Sequence, residues 1–245
     1  MKRFWDKLTN AQRRNSSSLV VGLDPNLRML PVGFDKSPTG AKEFLLKIIS
    51  ATAHLVCAYK PNIAFFLSLG TEGMEILRKI IIRIPVDIPV ILDGKFGDVG
   101  HTAQRYAHFA RNVVGVDAVT ANPYIGWDAI KPFMESELGV FLLCATSNPS
   151  YGDVQKMKVG EHLFYERMAA LYGQWMNRHD IRLGLVVGAT HPELFDNIRE
   201  LAPGAPFLVP GIGAQGGELE HSVRASITVD GIPPLVVSAR SILYA

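Results

Sequence analysis

Short runs rich in valine, isoleucine and leucine recur roughly every 30 residues along this chain, and amphipathic segments separate most of them. The runs are residues 19–23, 56–60, 89–93, 118–121, 140–145, 183–187, 207–209 and 235–238. They lack the polar alternation of a half-exposed sheet, as expected of parallel strands buried on both faces. Between them, residues 43–54, 72–82, 102–113 and 161–177 carry apolar side chains at helical spacing, and Pro192 marks another helix start. Eight β-α units in 245 residues predict a (β/α)8 barrel in one domain over residues 1–245, in preference to a doubly wound open sheet. The eighth strand ends near Ser238 and the chain stops at Ala245, so the eighth helix is expected to be truncated, as in a domain cut from a longer polypeptide.

The bulk properties narrow the function classes. A formal net charge of +2 with dispersed basic residues gives no lysine/arginine stripe for nucleic acid or a membrane surface. Residues 1–18 are charged and hold no apolar stretch of signal-peptide length, and no run is long enough for a transmembrane helix. Cys57 and Cys144 sit in apolar runs and read as buried free thiols of a reducing compartment. A cytoplasmic protein is the expectation. The seven histidines show no ligand spacing, His101 and His191 read as surface residues, and no metal site is predicted.

Polar residues gather where the strands end, the face on which barrels build their sites. Asp24 closes the first run and Lys60 the second. The third runs into Asp93-Gly-Lys95-Phe-Gly-Asp98, with Thr102 about one helical turn further on. Residues two apart on a strand share a face, so Asp93 and Lys95 are expected to point together into the mouth. Two carboxylates around one lysine hold it protonated and aimed, which suits a proton donor. Ser147 follows the fifth run in Thr-Ser-Asn-Pro, and residues 148–160 read as a long polar loop, a candidate lid. The seventh run enters Pro210-Gly-Ile-Gly-Ala-Gln215-Gly-Gly, and the eighth ends at Ser-Ala-Arg240. A glycine loop and a fixed cation at these two strand ends are the ingredients of a phosphate site.

Together these motifs resemble orotidine 5′-phosphate decarboxylase, over residues 20–245. The first-strand turn, Lys60-Pro-Asn-Ile-Ala-Phe-Phe and Val-Val-Gly-Ala-Thr are most similar to the family's second, mycobacterial-type branch. Two positions depart: Phe96 follows the lysine where many bacterial members have arginine, and Ala145 stands where this branch often has arginine.

The resemblance implies decarboxylation of orotidine 5′-monophosphate to uridine 5′-monophosphate, the last step of de novo pyrimidine nucleotide synthesis, with no cofactor. It gives Lys95 the protonation of ring carbon six within a charged network of Lys60, Asp93, Lys95 and Asp98. Asp24 and Lys60 are then expected on the ribose hydroxyls, Ser147 on the pyrimidine, and Gln215 and Arg240 on the phosphate, with Pro210 and Thr102 also lining the substrate. Asp98 and Thr102 match positions that reach into a partner's site, which implies a homodimer. Fusion to orotate phosphoribosyltransferase, known for such domains, would account for an abrupt end. Two rival readings are a metal-dependent sugar-phosphate lyase or synthase sharing the Asp-x-Lys-x-x-Asp motif, and a non-catalytic nucleotide-binding barrel.

Overall fold

The computed structural model describes residues 2–211 and 216–245, with side chains for residues 3–211 and 220–245. Its strands are β1 (Leu19–Gly22), β2 (Ala58–Lys60), β3 (Ile91–Phe96), β4 (Ala118–Ala121), β5 (Gly139–Ala145), β6 (Lys158–Val159), β7 (His162–Leu163), β8 (Gly184–Val187), β9 (Phe207–Pro210) and β10 (Leu235–Ser238). All but β6 and β7, which form a small antiparallel hairpin, belong to one eight-stranded sheet in the order β2-β1-β10-β9-β8-β5-β4-β3. The bridges Tyr59–Val90 and Asn62–Asp93 join its two ends. Every pairing within the sheet is parallel, so the predicted (β/α)8 barrel is the fold.

The near-continuous apolar runs follow from this closure. Val20, Ala58, Ile91, Ala118, Phe141, Val186, Leu208 and Leu235, one from each barrel strand, fill the interior as one cluster. Their neighbours Val21, Tyr59, Leu92, Val119, Leu142, Leu185 and Val209 belong to the second cluster, between barrel and helices. Seven of the eight barrel strands thus bury both faces, while the outward Val236 of β10 is half-buried. The outer layer comprises α2 (Pro38–Thr52), α4 (Gly70–Arg83), α5 (Gly100–His108), α6 (Trp127–Glu135), α8 (Phe164–His179), α9 (Phe195–Leu201), α10 (Gly216–Ala225) and α11 (Arg240–Leu243), with α3 (Ile63–Leu67) and α7 (Gly152–Gln155) as short connecting turns. Local rules place the starts. Ser37 caps α2 through Gly40 N at 3.2 Å with Pro38 at its first position, and Asn62 caps α3 through Ala64 N at 3.0 Å.

Several elements differ from the sequence expectation. The first 15 residues include α1 (Lys2–Asn15), an element absent from the sequence expectation. Its buried Phe4, Trp5 and Leu8 plug the N-terminal end of the barrel against Phe141, with ring centroids 6.0 Å from Phe4 and 5.4 Å from Trp5. The helix expected over residues 102–113 is α5 continued by a π-helical turn, Phe109–Val114. The expected lid, residues 148–160, is folded: it holds a 3-10 turn, α7 and β6. Gln155 pins it by accepting from Thr146 N at 2.9 Å and donating to Thr146 Oγ1 at 2.7 Å. The last helical element is the four-residue α11. Cys57 and Cys144 are buried free thiols, and burial pushes each up to about 12. Among the described residues no helix is long and apolar enough to cross a membrane.

Candidate active site

Inward-facing positions recur every second residue along a strand. Two residues beyond the interior layer of Ala58, Ile91 and Ala118 stand Lys60, Asp93 and Thr120, all buried. The barrel therefore changes from an apolar plug to a polar floor within one step of the pleat. Buried charges persist only when paired, and these are. Lys60 Nζ donates to Asp93 Oδ2 at 2.8 Å, and Lys95 Nζ donates to Asp93 Oδ1 at 2.8 Å. Thr120 Oγ1 donates to the same Oδ1 at 2.8 Å, and Asn62 Nδ2 lies 3.5 Å from Oδ2. Burial alone raises the pKa of Asp93, but the two ammonium groups and their hydrogen bonds outweigh it and hold the carboxyl well below its usual range.

Asp93 and Lys95 do meet, though not by simple alternation. The β3–β4 register shifts between Leu92 and Phe96, and Lys95 has φ of +46°. A bulge of this kind re-aims a side chain. The Lys95 side chain is 48% exposed, against 10% for Asp93, so the amine reaches from the rim down to the buried carboxylate. The ammonium is thus anchored on one side and open to the mouth on the other.

Asp24 joins the group from β1, where its Oδ1 accepts from Asn62 N at 3.1 Å. Burial raises its pKa, opposed chiefly by nearby Lys60. Asn62 therefore links Asp24 to Asp93, while its own Oδ1 caps α3.

Within the chain, Asp98 does not join Lys95. Its Oδ1 accepts from Val99 N at 2.8 Å, and it has no ion pair among the described residues. Lys95 consequently has one ion-pair partner among the described residues, where spacing predicted two. Thr102 lies near the start of α5, on the same outer flank.

Ser147 sits across the mouth, against the ends of β8 and β9. A Cβ on Gly188 would lie 2.7 Å from Ser147 N, and one on Gly211 3.7 Å from Ser147 Cβ. Pro210 closes β9, and its carbonyl accepts from Ala189 N at 3.0 Å. Arg240 opens α11 and is exposed. Gly22 lets that turn pass close, since a Cβ there would meet Ala239 Cβ at 2.6 Å. Gln215 lies outside the described residues. His101 is exposed, but His191 is half-buried and stacks on Tyr151 with centroids 3.9 Å apart, so its surface reading is corrected.

Sequence reasoning missed two participants. Thr120 was hidden because threonine is an ordinary strand former; alternation from Ala118 would have found it. Asn62 was read only as part of a motif.

An ammonium held by a buried carboxylate and half-exposed at the barrel mouth can stabilise a developing carbanion and then protonate it. Comparison with known proteins narrows the chemistry. The model of the Orotidine 5'-phosphate decarboxylase / HUMPS family matches residues 17–245. The orotidine 5'-phosphate decarboxylase of Thermomicrobium roseum is 44% identical over 245 residues, covering 99% of this chain and 87% of that protein. Among solved structures, Leishmania donovani OMP decarboxylase is 38% identical with a TM-score of 0.87, covering 99% of this chain and 91% of that one. Leishmania donovani UMP synthase is 40% identical with a TM-score of 0.89, covering 99% of this chain and 52% of that one.

Proposed function

We propose, on the premise that this chain belongs to the orotidine 5′-phosphate decarboxylase / HUMPS family and is a carboxy-lyase converting orotidine 5′-monophosphate to uridine 5′-monophosphate, that Lys95 supplies the proton. The observation that carries this reading is the Lys60–Asp93–Lys95 array at the barrel mouth. The bond from ring carbon six to the carboxylate breaks, CO2 leaves, and the electron pair stays on carbon six. The Lys95 ammonium stabilises that charge and transfers a proton to it; the neutral amine then regains a proton from water. The charge is met by a group already in place, so no electron-sink cofactor enters the proposal.

Asp93 faces the substrate carboxylate in this arrangement. Two such charges about 4 Å apart repel by roughly 4 kcal/mol at an effective dielectric near 20. Enzymes supply roughly 8–23 kcal/mol in all, so repulsion is the smaller share and preorganised charge the larger. Asp24 and Lys60 take the ribose hydroxyls and Ser147 the pyrimidine edge. Arg240 takes the phosphate, together with Gln215. Pro210 lines the same side. Binding energy at the distant phosphate contributes to orienting the substrate at the reacting carbon.

Asp98 and Thr102 complete a partner's site in a homodimer. The carboxylate of Asp98, without an ion pair among the described residues, supports this, as do the exposed apolar groups on the surrounding surface: Val99 at 51%, Tyr124 at 78% and Ile125 at 42%. The match to about half of a UMP synthase supports the reading that a barrel like this also works joined to orotate phosphoribosyltransferase. The buried free cysteines fit a cytoplasmic setting.

The test is an ultraviolet assay of orotidine 5′-monophosphate with and without chelator. Loss of the orotate absorbance, unaffected by chelator, is expected. Chelator-sensitive turnover of a pentulose or hexulose phosphate instead, or nucleotide binding with no absorbance change, contradicts the reading.

A further inference from the structure

We infer that Thr120 is a positioning residue for this decarboxylation, fixing the Lys95 ammonium through both ends of that lysine. The inference rests on the reading of Lys95 as proton donor. Lys95 occupies the left-handed region at φ +46°, a conformation unfavourable for any residue with a Cβ, where β3 leaves regular register. Its backbone N–H is bonded there by a side chain: it donates to Thr120 Oγ1 at 2.9 Å. The hydroxyl then donates to Asp93 Oδ1 at 2.8 Å, the same oxygen that accepts from Lys95 Nζ at 2.8 Å. The contacts close a ring from the Lys95 main chain, through Thr120 and Asp93, back to the Lys95 amine.

The direction of each bond is settled by chemistry. An amide N–H can only donate and a carboxylate only accept, so the single hydroxyl proton must point at Asp93. Thr120 is 2% exposed, and its bond to Asp93 is buried. The flexible, half-exposed lysine stem cannot hold its amine in place unaided. What aims it is the bulged main chain at one end and Asp93 at the other, and one hydroxyl holds both. The strand itself does not call for that hydroxyl, since valine has the same shape and comparable strand propensity.

Thr120→Val and Thr120→Ser, read beside Lys95→Ala, test this. Thr120→Val is expected to lower kcat roughly 10- to 100-fold, as a misplaced catalytic group does. The Kd for uridine 5′-monophosphate should stay within about threefold of the parent's, because ground-state binding does not use the hydroxyl. Thr120→Ser should restore kcat to within about threefold of the parent. A Thr120→Val enzyme with parental kcat, even one that melts earlier, overturns the inference. So does a serine variant as slow as the valine one, or a loss confined to nucleotide affinity. If the valine variant does not fold, Thr120→Ala is read by the same criteria. An inert Lys95→Ala beside a fully active Thr120→Val defeats only this inference; an active Lys95→Ala defeats the reading beneath it.

Discussion

Asp24 shows what a residue proposed for binding costs the fold. Burial raises its pKa, with Lys60 only partly offsetting that rise. A carboxyl whose folded pKa lies above its unfolded value contributes stability at low pH that is lost as pH rises through the folded value. The ionised form of Asp24 is therefore a liability to the fold. Asp24→Asn keeps an acceptor for Asn62 N and removes the charge, so Tm should rise wherever Asp24 would otherwise be ionised. The gain should shrink as pH falls through the raised pKa, while KM for the nucleotide increases. Melting curves over a pH series, with kinetics at neutral pH, check both. Asp93 is the opposite case: its depressed pKa contributes stability above the ordinary carboxylate range, lost only as pH falls toward the folded value. At this scale the sequence disclosed the charged residues but not their geometry. Asp93 and Lys95 meet through a bulge and a positive φ, neither of which spacing encodes. Thr120 had no chemical signal of its own, because its role comes from a neighbouring strand.

At the scale of elements, the barrel strands were legible because both of their faces are apolar, and their ends were less so. Residues 56–57 precede β2 and residues 89–90 precede β3, yet all are as apolar as the strands they lead into. The helix α1 escaped notice because its charges dominate its composition, although Phe4, Trp5, Leu8 and Ala11 lie on one buried stripe. Its aromatic pair closes the end of the barrel opposite the candidate site. Phe4→Ala should cost about 3–5 kcal/mol in urea unfolding, with kcat of the folded enzyme unchanged. The connection after β5 has the polar composition of a loop, but local turns and the Gln155–Thr146 bonds order it. It carries Ser147 to within 2.7 Å of where a Gly188 Cβ would stand. Gly188→Ala should therefore displace Ser147 and raise KM for the nucleotide several-fold, at a stability cost of about 1–3 kcal/mol. Steady-state kinetics beside thermal melting separate the two effects.

For the whole molecule, one closed ring places Asp24, Lys60 and Asp93 on adjacent strands with the Lys95 amine against Asp93, and leaves Asp98 outside. The second carboxylate that spacing assigned to Lys95 is the proposed contribution of another copy. Sequence reading reached that pairing only by resemblance, since no intrachain pattern specifies what a partner supplies. Shared sites make a quantitative prediction. Lys95→Ala and Asp98→Asn chains should each be nearly inert, but co-expressed they should recover about a quarter of parental activity, because half of a statistical mixture is mixed dimers with one intact site each. Mixed dimers no more active than either variant alone would mean that the sites are not shared. The most direct test of the account remains the amine of Lys95. Lys95→Ala should show no measurable loss of orotate absorbance while calorimetry still detects uridine 5′-monophosphate binding; turnover near the parental rate in that variant would contradict it.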